Sequence, residues 1–158
     1  MTSTLPTNLN IIVLHGKSPS GKSETVLKAV ELLLENGYSV KAKYSSESIS
    51  DNICCVIEKN NKLVGITTRG DDVSHLKKDF ESLGYLCDLY ICCSRSKGRT
   101  MAFLGGLSQD GIQLHLEKST LSCNRIPASL PIEELKNSID NCQAIEIVKI
   151  VLSVIEKI

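Results

Sequence analysis

Eight consecutive residues near the start of the chain have the types and spacing that bind a chain of phosphates. Residues 16–23 read Gly-Lys-Ser-Pro-Ser-Gly-Lys-Ser and fit the pattern G-x-x-x-x-G-K-[ST] at every fixed position. Glycines at both ends let the backbone approach a phosphate closely, because they have no Cβ. Backbone N–H groups at a helix N-terminus can then bind the anion. Lys22 would contact the β- and γ-phosphates, and the Ser23 hydroxyl would ligate Mg²⁺.

The residues on either side of this motif favour the same chemistry. An apolar run of strand length, residues 10–15, precedes the motif, and a helical pattern follows it. With these flanks, residues 10–36 resemble the P-loop NTPase superfamily, and the loop is most similar to those of small P-loop kinases and ATPases. The resemblance implies that ATP, or another nucleoside triphosphate, and Mg²⁺ are the cofactors. It implies a nucleotide-binding segment that consists of Gly16, Lys17, Ser18, Pro19, Ser20, Gly21, Lys22, Ser23 and Glu24.

The acid that would assist the metal is less obvious. P-loop enzymes commonly hold Mg²⁺ with an Asp at the end of a neighbouring strand. No apolar strand of this chain ends directly in Asp, and the strand before Arg69 continues as Thr-Thr-Arg-Gly-Asp. We therefore predict Ser23 and Asp71 as metal ligands, and Arg69 and Asp71 as the residues that face a substrate. Asp72 would either reach back towards the metal or cap a following helix, and a hydroxyl of Thr67 or Thr68 is the alternative to an acid at the metal.

A cluster of cations follows the apolar run at residues 87–93. Arg95, Lys97 and Arg99 place three positive charges on a loop at the carboxyl end of a predicted strand. Phosphoryl transfer spreads negative charge over the γ-phosphoryl oxygens, which an inserted Arg or Lys stabilises. We predict that these residues and Lys22 form the catalytic set. The alternative is an ordinary solvated surface loop.

The chain lacks the N-K-x-D box with which guanine-specific P-loop proteins read their base. Its nearest match, Asn-Lys-Leu-Val at residues 61–64, has no Asp and lies in a predicted hairpin turn. ATP is therefore the expected nucleotide. The order of hairpin and then helix after the first helix is similar to that of Ras-like GTPases, although Thr-Thr-Arg-Gly at residues 67–70 stands in place of their D-x-x-G.

Periodicity along the chain predicts an α/β domain. Alternating or continuous apolar runs predict strands at residues 10–14, 38–44, 53–57, 63–67, 87–93 and 111–118. Three- and four-residue spacing predicts helices at residues 22–36, 74–83 and 132–157, and a short helix or turn at 101–107 that ends at Gly105-Gly106. The resemblance implies a three-layer P-loop NTPase fold: a mainly parallel central sheet with one antiparallel hairpin and helices on both faces. We expect a flexible N-terminus over residues 1–8 and a single nucleotide-binding domain over residues 9–158.

Composition restricts the partners of this domain. The chain has 18 basic and 18 acidic residues and no Trp, which gives no strong signal for nucleic-acid binding. No stretch has the length of a membrane span and no leader pattern is present, so we expect a cytoplasmic protein without membrane contact. The number of cysteines, seven, is odd, and there is no C-x-x-C. They are therefore expected to be reduced and mostly to act as small apolar residues.

These features predict a Mg-ATP-binding protein, first of all a small phosphotransferase whose acceptor is a nucleotide or small metabolite. One alternative is a nucleotide-dependent switch or an ATPase/GTPase-like module that acts through a protein partner, with residues 45–52 and 69–72 rearranging around the γ-phosphate. Another is a module that binds nucleotide without turnover. The wide apolar stripe of residues 132–157 is expected to pack on the sheet, and it leaves a homodimer open.

Overall fold

The computed structural model describes residues 5–17, 21–44, 53–70, 72–96, 98–120 and 129–158. Within these residues the chain is an α/β protein with a mixed six-stranded sheet and four helices. The elements in chain order are β1 (Ile11–His15), α1 (Lys22–Glu35), β2 (Ser39–Lys43), β3 (Cys54–Lys59), β4 (Lys62–Thr67), α2 (Val73–Leu83), β5 (Leu89–Ser94), α3 (Arg99–Leu107), β6 (Gln113–Glu117) and α4 (Ile132–Lys157).

The strands follow the order β2-β3-β4-β5-β1-β6 across the sheet. β1 is parallel to both of its neighbours, β5 and β6, and β4 is parallel to β5. β3 is antiparallel to β2 as well as to β4, so antiparallel pairing extends over three strands and not over one hairpin alone. β5 separates β4 from β1. β4 is therefore two strands away from β1, the strand that leads into residues 16–23.

The hairpin between β3 and β4 confirms the sequence prediction. Its turn consists of Asn60 and Asn61, whose φ angles of 52° and 67° lie in the left-handed region. A two-residue hairpin loop requires positive φ at both positions, and Asn tolerates this better than other residues with a side chain. The turn chemistry that was visible in the sequence therefore sets the register of these two strands.

The strand β1 is buried on both faces, which explains why its sequence is apolar without alternation. Ile12 and Leu14 belong to a hydrophobic cluster that includes residues of α1 and α4. Ile11 and Val13 belong to a second cluster with residues of α2 and α3. Burying an aliphatic side chain of this size contributes about 1.5–3 kcal/mol. The sheet is therefore packed from both sides at the strand that leads into residues 16–23.

Two helix ends differ in how well the sequence predicted them. α2 begins directly after Asp72, whose side chain accepts a hydrogen bond from the Ser74 N–H at 2.7 Å. This bond lowers the pKa of Asp72, and the helix-cap alternative for this residue is the observed one. α3, in contrast, continues through Gly105-Gly106 as far as Leu107, because burial of Leu104 and Leu107 outweighs the poor helix propensity of glycine.

The described cysteines are free thiols. Burial raises the pKa of Cys54 to about 12 and that of Cys55 to about 11, so both stay protonated at neutral pH. Cys123 lies outside the described residues. Among the helices of the described ranges, none combines the length and the apolar character that crossing a bilayer demands.

Candidate phosphate-binding site

The motif begins at the carboxyl edge of the sheet, where β1 and β5 end side by side. Gly16 follows β1, is buried, and donates its N–H to the carbonyl oxygen of Ser94 at 3.1 Å. Ser94 is the last residue of β5 and is fully buried. The first residue of the loop is therefore anchored to the neighbouring parallel strand.

Lys22 closes the loop from its other end. It is the first residue of α1 and only 6% exposed. Its Nζ donates to the Gly16 carbonyl oxygen at 2.8 Å and to the Ser94 carbonyl oxygen at 3.3 Å. The ammonium group thus joins the beginning of the loop, the beginning of the helix and the end of β5. A cation that is held by carbonyl dipoles in this way can also attract an anion brought into the loop.

Gly21, the residue directly before α1, has a backbone conformation that favours glycine. Gly21 lies in the left-handed region, with φ 84° and ψ 19°, which a residue with a Cβ adopts only at a cost. Among the described residues, no side chain accepts a capping hydrogen bond at this helix start. The first N–H groups of a helix have no intrahelical acceptor, and the positive end of the helix dipole lies there. Ser23 and Glu24 follow in the first turn, the former half-buried and the latter exposed.

The described parts of the loop therefore fit a phosphate chain: a buried cation, a left-handed glycine and a helix start without a side-chain cap. Ser18, Pro19 and Ser20 lie outside the described residues, and Lys17 is exposed. The Ser23 hydroxyl is of the right type for Mg²⁺, which commonly takes one or two protein ligands and keeps several waters. Asp71 lies outside the described residues, and the described ones contain no cluster of three or more His, Cys, Asp or Glu that could hold a metal.

Of the three predicted catalytic cations on the β5–α3 loop, two are described. Arg95 directly follows Ser94, so the loop starts beside the phosphate-binding motif, and Arg99 is the first residue of α3. Both are exposed. A hydrogen bond of 2.9 Å between the Ser94 and Thr100 hydroxyls joins the two ends of the loop. Lys97 lies outside the described residues.

Arg69 lies in a different environment from these cations. Its Nε donates to Asp79 Oδ2 at 3.1 Å, and its Nη2 donates to Oδ1 of the same carboxylate. The Thr67 hydroxyl donates to Asp79 Oδ2 at 2.5 Å. Asp79 comes from α2 and is 2% exposed. The structure thus pairs Arg69 with a buried carboxylate two strands from β1, and its role towards a substrate stays a prediction.

A polar cluster at the end of β6 was not found by sequence reasoning. The buried Lys118 Nζ donates to Asp140 Oδ1 at 2.7 Å and to the Ser119 carbonyl oxygen at 2.5 Å. Gln143 donates to the Glu117 carbonyl oxygen at 2.7 Å and accepts from the Ser119 N–H at 3.0 Å. These bonds attach α4 to the end of β6. No local pattern marks the bonds that join β6 to α4, because their partners are more than twenty residues apart in sequence.

A cavity of about 480 Å³ lies between this polar cluster and the phosphate-binding motif. Its lining comes from Gly21 and Glu24, from the residues that follow β6, and from the first turns of α4, including Asn137 and Asp140. A Cβ on Gly21 would be 3.5 Å from Asp140 Oδ2, which shows how near the cluster is to the motif. The volume is within the range of small-molecule sites.

His15, the last residue of β1, contacts the side chains of Ser96 and His115. Its Nδ1 is 3.1 Å from the Ser96 hydroxyl, and its ring centroid is 6.1 Å from that of His115. Partial burial, together with the neighbouring His15, lowers the pKa of His115. The contact with Ser96 joins the β5–α3 loop to the end of β1, and the ring contact joins β1 to β6.

No protein-family model, curated protein or solved structure matches the chain. Its function is therefore inferred from its residues and their geometry.

Proposed function

We propose that this chain is a Mg-ATP-binding P-loop protein that transfers a phosphoryl group to a nucleotide or small metabolite. The observation that carries the proposal is the position of Lys22, whose Nζ lies 2.8 Å from the Gly16 carbonyl oxygen across a loop that fits G-x-x-x-x-G-K-[ST]. We also infer the three-layer P-loop NTPase architecture. It is supported by the separate hydrophobic clusters that join β1 to α1 and α4, and to α2 and α3.

In this proposal the loop binds the triphosphate with main-chain N–H groups, and Lys22 exchanges part of its carbonyl contacts for phosphate oxygens. The Ser23 hydroxyl would ligate Mg²⁺, which when bound would neutralise charge on the phosphates. Arg95, Lys97 and Arg99 would stabilise charge on the migrating group from the adjacent loop. The protein's contribution is thus positioning and electrostatic stabilisation.

The cavity beside Gly21 is the proposed place for the nucleoside. It adjoins the start of α1, and it offers both hydrogen-bond donors and acceptors around the Lys118–Asp140 ion pair. A base in this cavity would contact the residues that follow β6 and not an N-K-x-D box, which the chain lacks. ATP is the proposed nucleotide.

Replacing Lys22 by Ala is the direct test of nucleotide binding. Wild-type protein should gain thermal stability from Mg-ATP, since a ligand that binds only the folded state stabilises it by mass action. Lys22→Ala should raise the dissociation constant by about 100-fold or more, because a charge-assisted contact to phosphate is lost. Differential scanning fluorimetry and calorimetric titration measure both effects. Lys28→Ala, which removes a lysine from the same helix outside the motif, is the matched control.

The nucleotide-binding proposal would be wrong if wild-type protein did not respond to any nucleoside triphosphate, or if both lysine variants responded like wild type. Circular dichroism of Lys22→Ala separates lost binding from lost folding. This control is needed because Lys22 also joins Gly16 to β5 in the protein without ligand.

A second prediction concerns the cations of the β5–α3 loop. Arg95→Ala and Arg99→Ala should each lower kcat by about tenfold to a hundredfold and change nucleotide affinity less, because the charge they stabilise develops mainly during transfer. Acceptor-stimulated turnover of ATP and calorimetric titration measure the two quantities. An equal loss of kcat and affinity would identify these residues as ground-state contacts only.

The second candidate function is a nucleotide-dependent switch, and one contact favours it. The Gly70 backbone lies against the end of β5, whose Ser94 carbonyl oxygen accepts from Lys22. A change at the γ-phosphate would therefore be close to Gly70. Asp71 and residues 45–52, the other parts of the predicted switch, lie outside the described residues. Hydrolysis of ATP without an acceptor distinguishes the candidates: fast hydrolysis favours the switch, whereas slow hydrolysis that an added nucleoside or nucleotide accelerates favours the phosphotransferase.

A further inference from the structure

β6 forms one edge of the described sheet, and its outer side has hydrogen-bonding groups that point away from β1. The Ile112 carbonyl oxygen accepts from the Ile11 N–H, and the Lys118 N–H donates to the His15 carbonyl oxygen. The backbone N–H and C=O groups of the even-numbered residues in this segment therefore point towards β1. Those of the odd-numbered residues Gln113 and His115 point outward, away from the sheet. At the end of β6, the outward carbonyl oxygen of Glu117 already accepts a hydrogen bond from the Gln143 side chain. The outer side of Gln113–His115 is thus the part that can accept another strand.

The other edge of the sheet, β2, is protected in ways that β6 is not. β2 has lysines at positions 41 and 43 and a register shift between Val40 and Ala42. Charged side chains and bulges are the usual features that prevent an edge from pairing with another chain. β6 pairs with β1 in continuous register and has no lysine, proline or bulge within its bounds. The contrast indicates that the β6 edge is the one suited to pairing.

An apolar groove runs beside β6 on the side of α4. Its volume is about 420 Å³, and its floor includes Ile112 and Leu114, each 37% exposed, with Ile150 and Val154 of α4. Side chains of these residues would be covered by the apolar residues of an added strand. The groove therefore provides a hydrophobic contribution that backbone pairing alone lacks.

The charges beside the groove differ in sign between its two ends. Lys149 and Lys157 both line the groove, and Lys157 is the last residue of α4, at the end farther from Glu146. Glu146 lines a second cavity, of about 320 Å³, together with Ser119, which follows β6 at its other end. A strand with uniform negative charge would meet Glu146 as well as the lysines. A second copy of this chain in antiparallel orientation would instead bring each positive end towards the negative end of its partner.

We propose that two copies of this chain pair through β6, antiparallel and about a two-fold axis at Leu114, so that their sheets become continuous. In this register Gln113 of each copy pairs with His115 of the other through their outward N–H and C=O groups, leaving the Glu117 carbonyl bonded to Gln143. Leu114 lies opposite its own counterpart, and Ile112 lies opposite Leu116. All of these apolar side chains lie on the α4 side of the sheet, because alternate strand residues share a face.

The oligomeric state tests this interface. Sedimentation equilibrium over concentrations up to about 0.5 mM should show a dimer, because small interfaces dissociate in the micromolar range. Leu114→Lys should raise the dimer dissociation constant at least about tenfold, since it places two ammonium groups opposite each other. Leu152→Lys is the matched control: Leu152 is 38% exposed, lies on α4 outside the groove, and its substitution should leave the dimer intact.

Cross-linking tests the register. Leu114→Cys should form a disulfide-linked dimer under mild oxidation, because directly opposed residues of a non-hydrogen-bonded antiparallel pair have Cα atoms about 4.5 Å apart. Ile112→Cys, at a position equally exposed, should not cross-link to itself, because its counterpart lies four residues along the strand, about 13 Å away. Wild-type protein, oxidised in the same way, is the control for disulfides formed by the native cysteines.

A monomer at the highest concentration would overturn the proposal, as would a dimer that Leu152→Lys weakens and Leu114→Lys does not. Thermal unfolding of Leu114→Lys confirms that the variant is folded. Nucleotide binding is measured separately, and neither result depends on the other.

Discussion

Replacing Gly70 by Ala should destabilise the fold by about 3 kcal/mol or more, because the new methyl group has no space. A Cβ at this position would lie 1.3 Å from the carbonyl oxygen of Cys93 and 3.0 Å from the backbone nitrogen of Ser94. The obstructing atoms belong to the backbone of β5, a buried central strand, and cannot move aside as a side chain could. The loop after β4 or the end of β5 would have to shift.

Urea unfolding followed by circular dichroism measures this effect as a change in midpoint at constant slope. Gly106→Ala is the matched control, because among the described residues a Cβ there has no atom within 4 Å apart from its chain neighbours and the backbone of its own helix. Gly106 lies inside α3, so this variant should be about 0.5–1 kcal/mol more stable than wild type. If Gly70→Ala were as stable as wild type, the close approach of the two backbone segments would be wrong.

Gly70→Ala should also weaken nucleotide binding. The shifted end of β5 carries the Ser94 carbonyl oxygen that accepts from Gly16 and Lys22. A change in affinity that accompanies the loss of stability would connect the β4–α2 loop to the proposed phosphate-binding role of residues 16–23. The stability effect is expected whether or not the chain binds nucleotide.

Removing the carboxylate of Asp79 should cost about 3–5 kcal/mol of folding free energy, the range for breaking a buried ion pair from one side. Asp79 is 2% exposed and accepts hydrogen bonds from Arg69 and from the Thr67 hydroxyl. In Asp79→Ala the Arg69 guanidinium stays largely inside the protein without this carboxylate. Chemical denaturation provides the measurement. Glu81→Ala, on the exposed side of the same helix, should change stability by no more than about 0.5 kcal/mol.

A double variant distinguishes the ion pair from general packing at this position. The double variant Asp79→Leu with Arg69→Met should lose less folding free energy than the two single variants lose together. Each single variant leaves one charged side chain without its partner, whereas the double variant removes both charges. Thr67→Val should cost about 1 kcal/mol through loss of one hydroxyl bond. Strict additivity of Asp79→Leu and Arg69→Met would show that the two side chains do not interact.

Local patterns predicted the elements that lead into the candidate site. The apolar run before Gly16 is β1, the periodic residues after Gly21 form α1, and the Asn-Asn pair closes the β3–β4 hairpin. Each depends on interactions between residues close in sequence, through alternation, three- and four-residue spacing or turn conformation. The glycine pair in α3 misled the same reasoning, because burial of Leu104 and Leu107 decides the end of that helix.

The sequence by itself determined the α/β class, the strands and helices and the motif at residues 16–23, since each is encoded by neighbouring residues. Only the tertiary structure decided that β5 lies between β1 and β4, which places the Ser94 carbonyl oxygen beside Lys22 and sets Arg69 apart with Asp79. The ion pair between Lys118 and Asp140 beside Gly21 likewise follows only from the tertiary structure. The physical reason is that strand order and buried polar pairs depend on which distant segments meet, and no local periodicity encodes that choice.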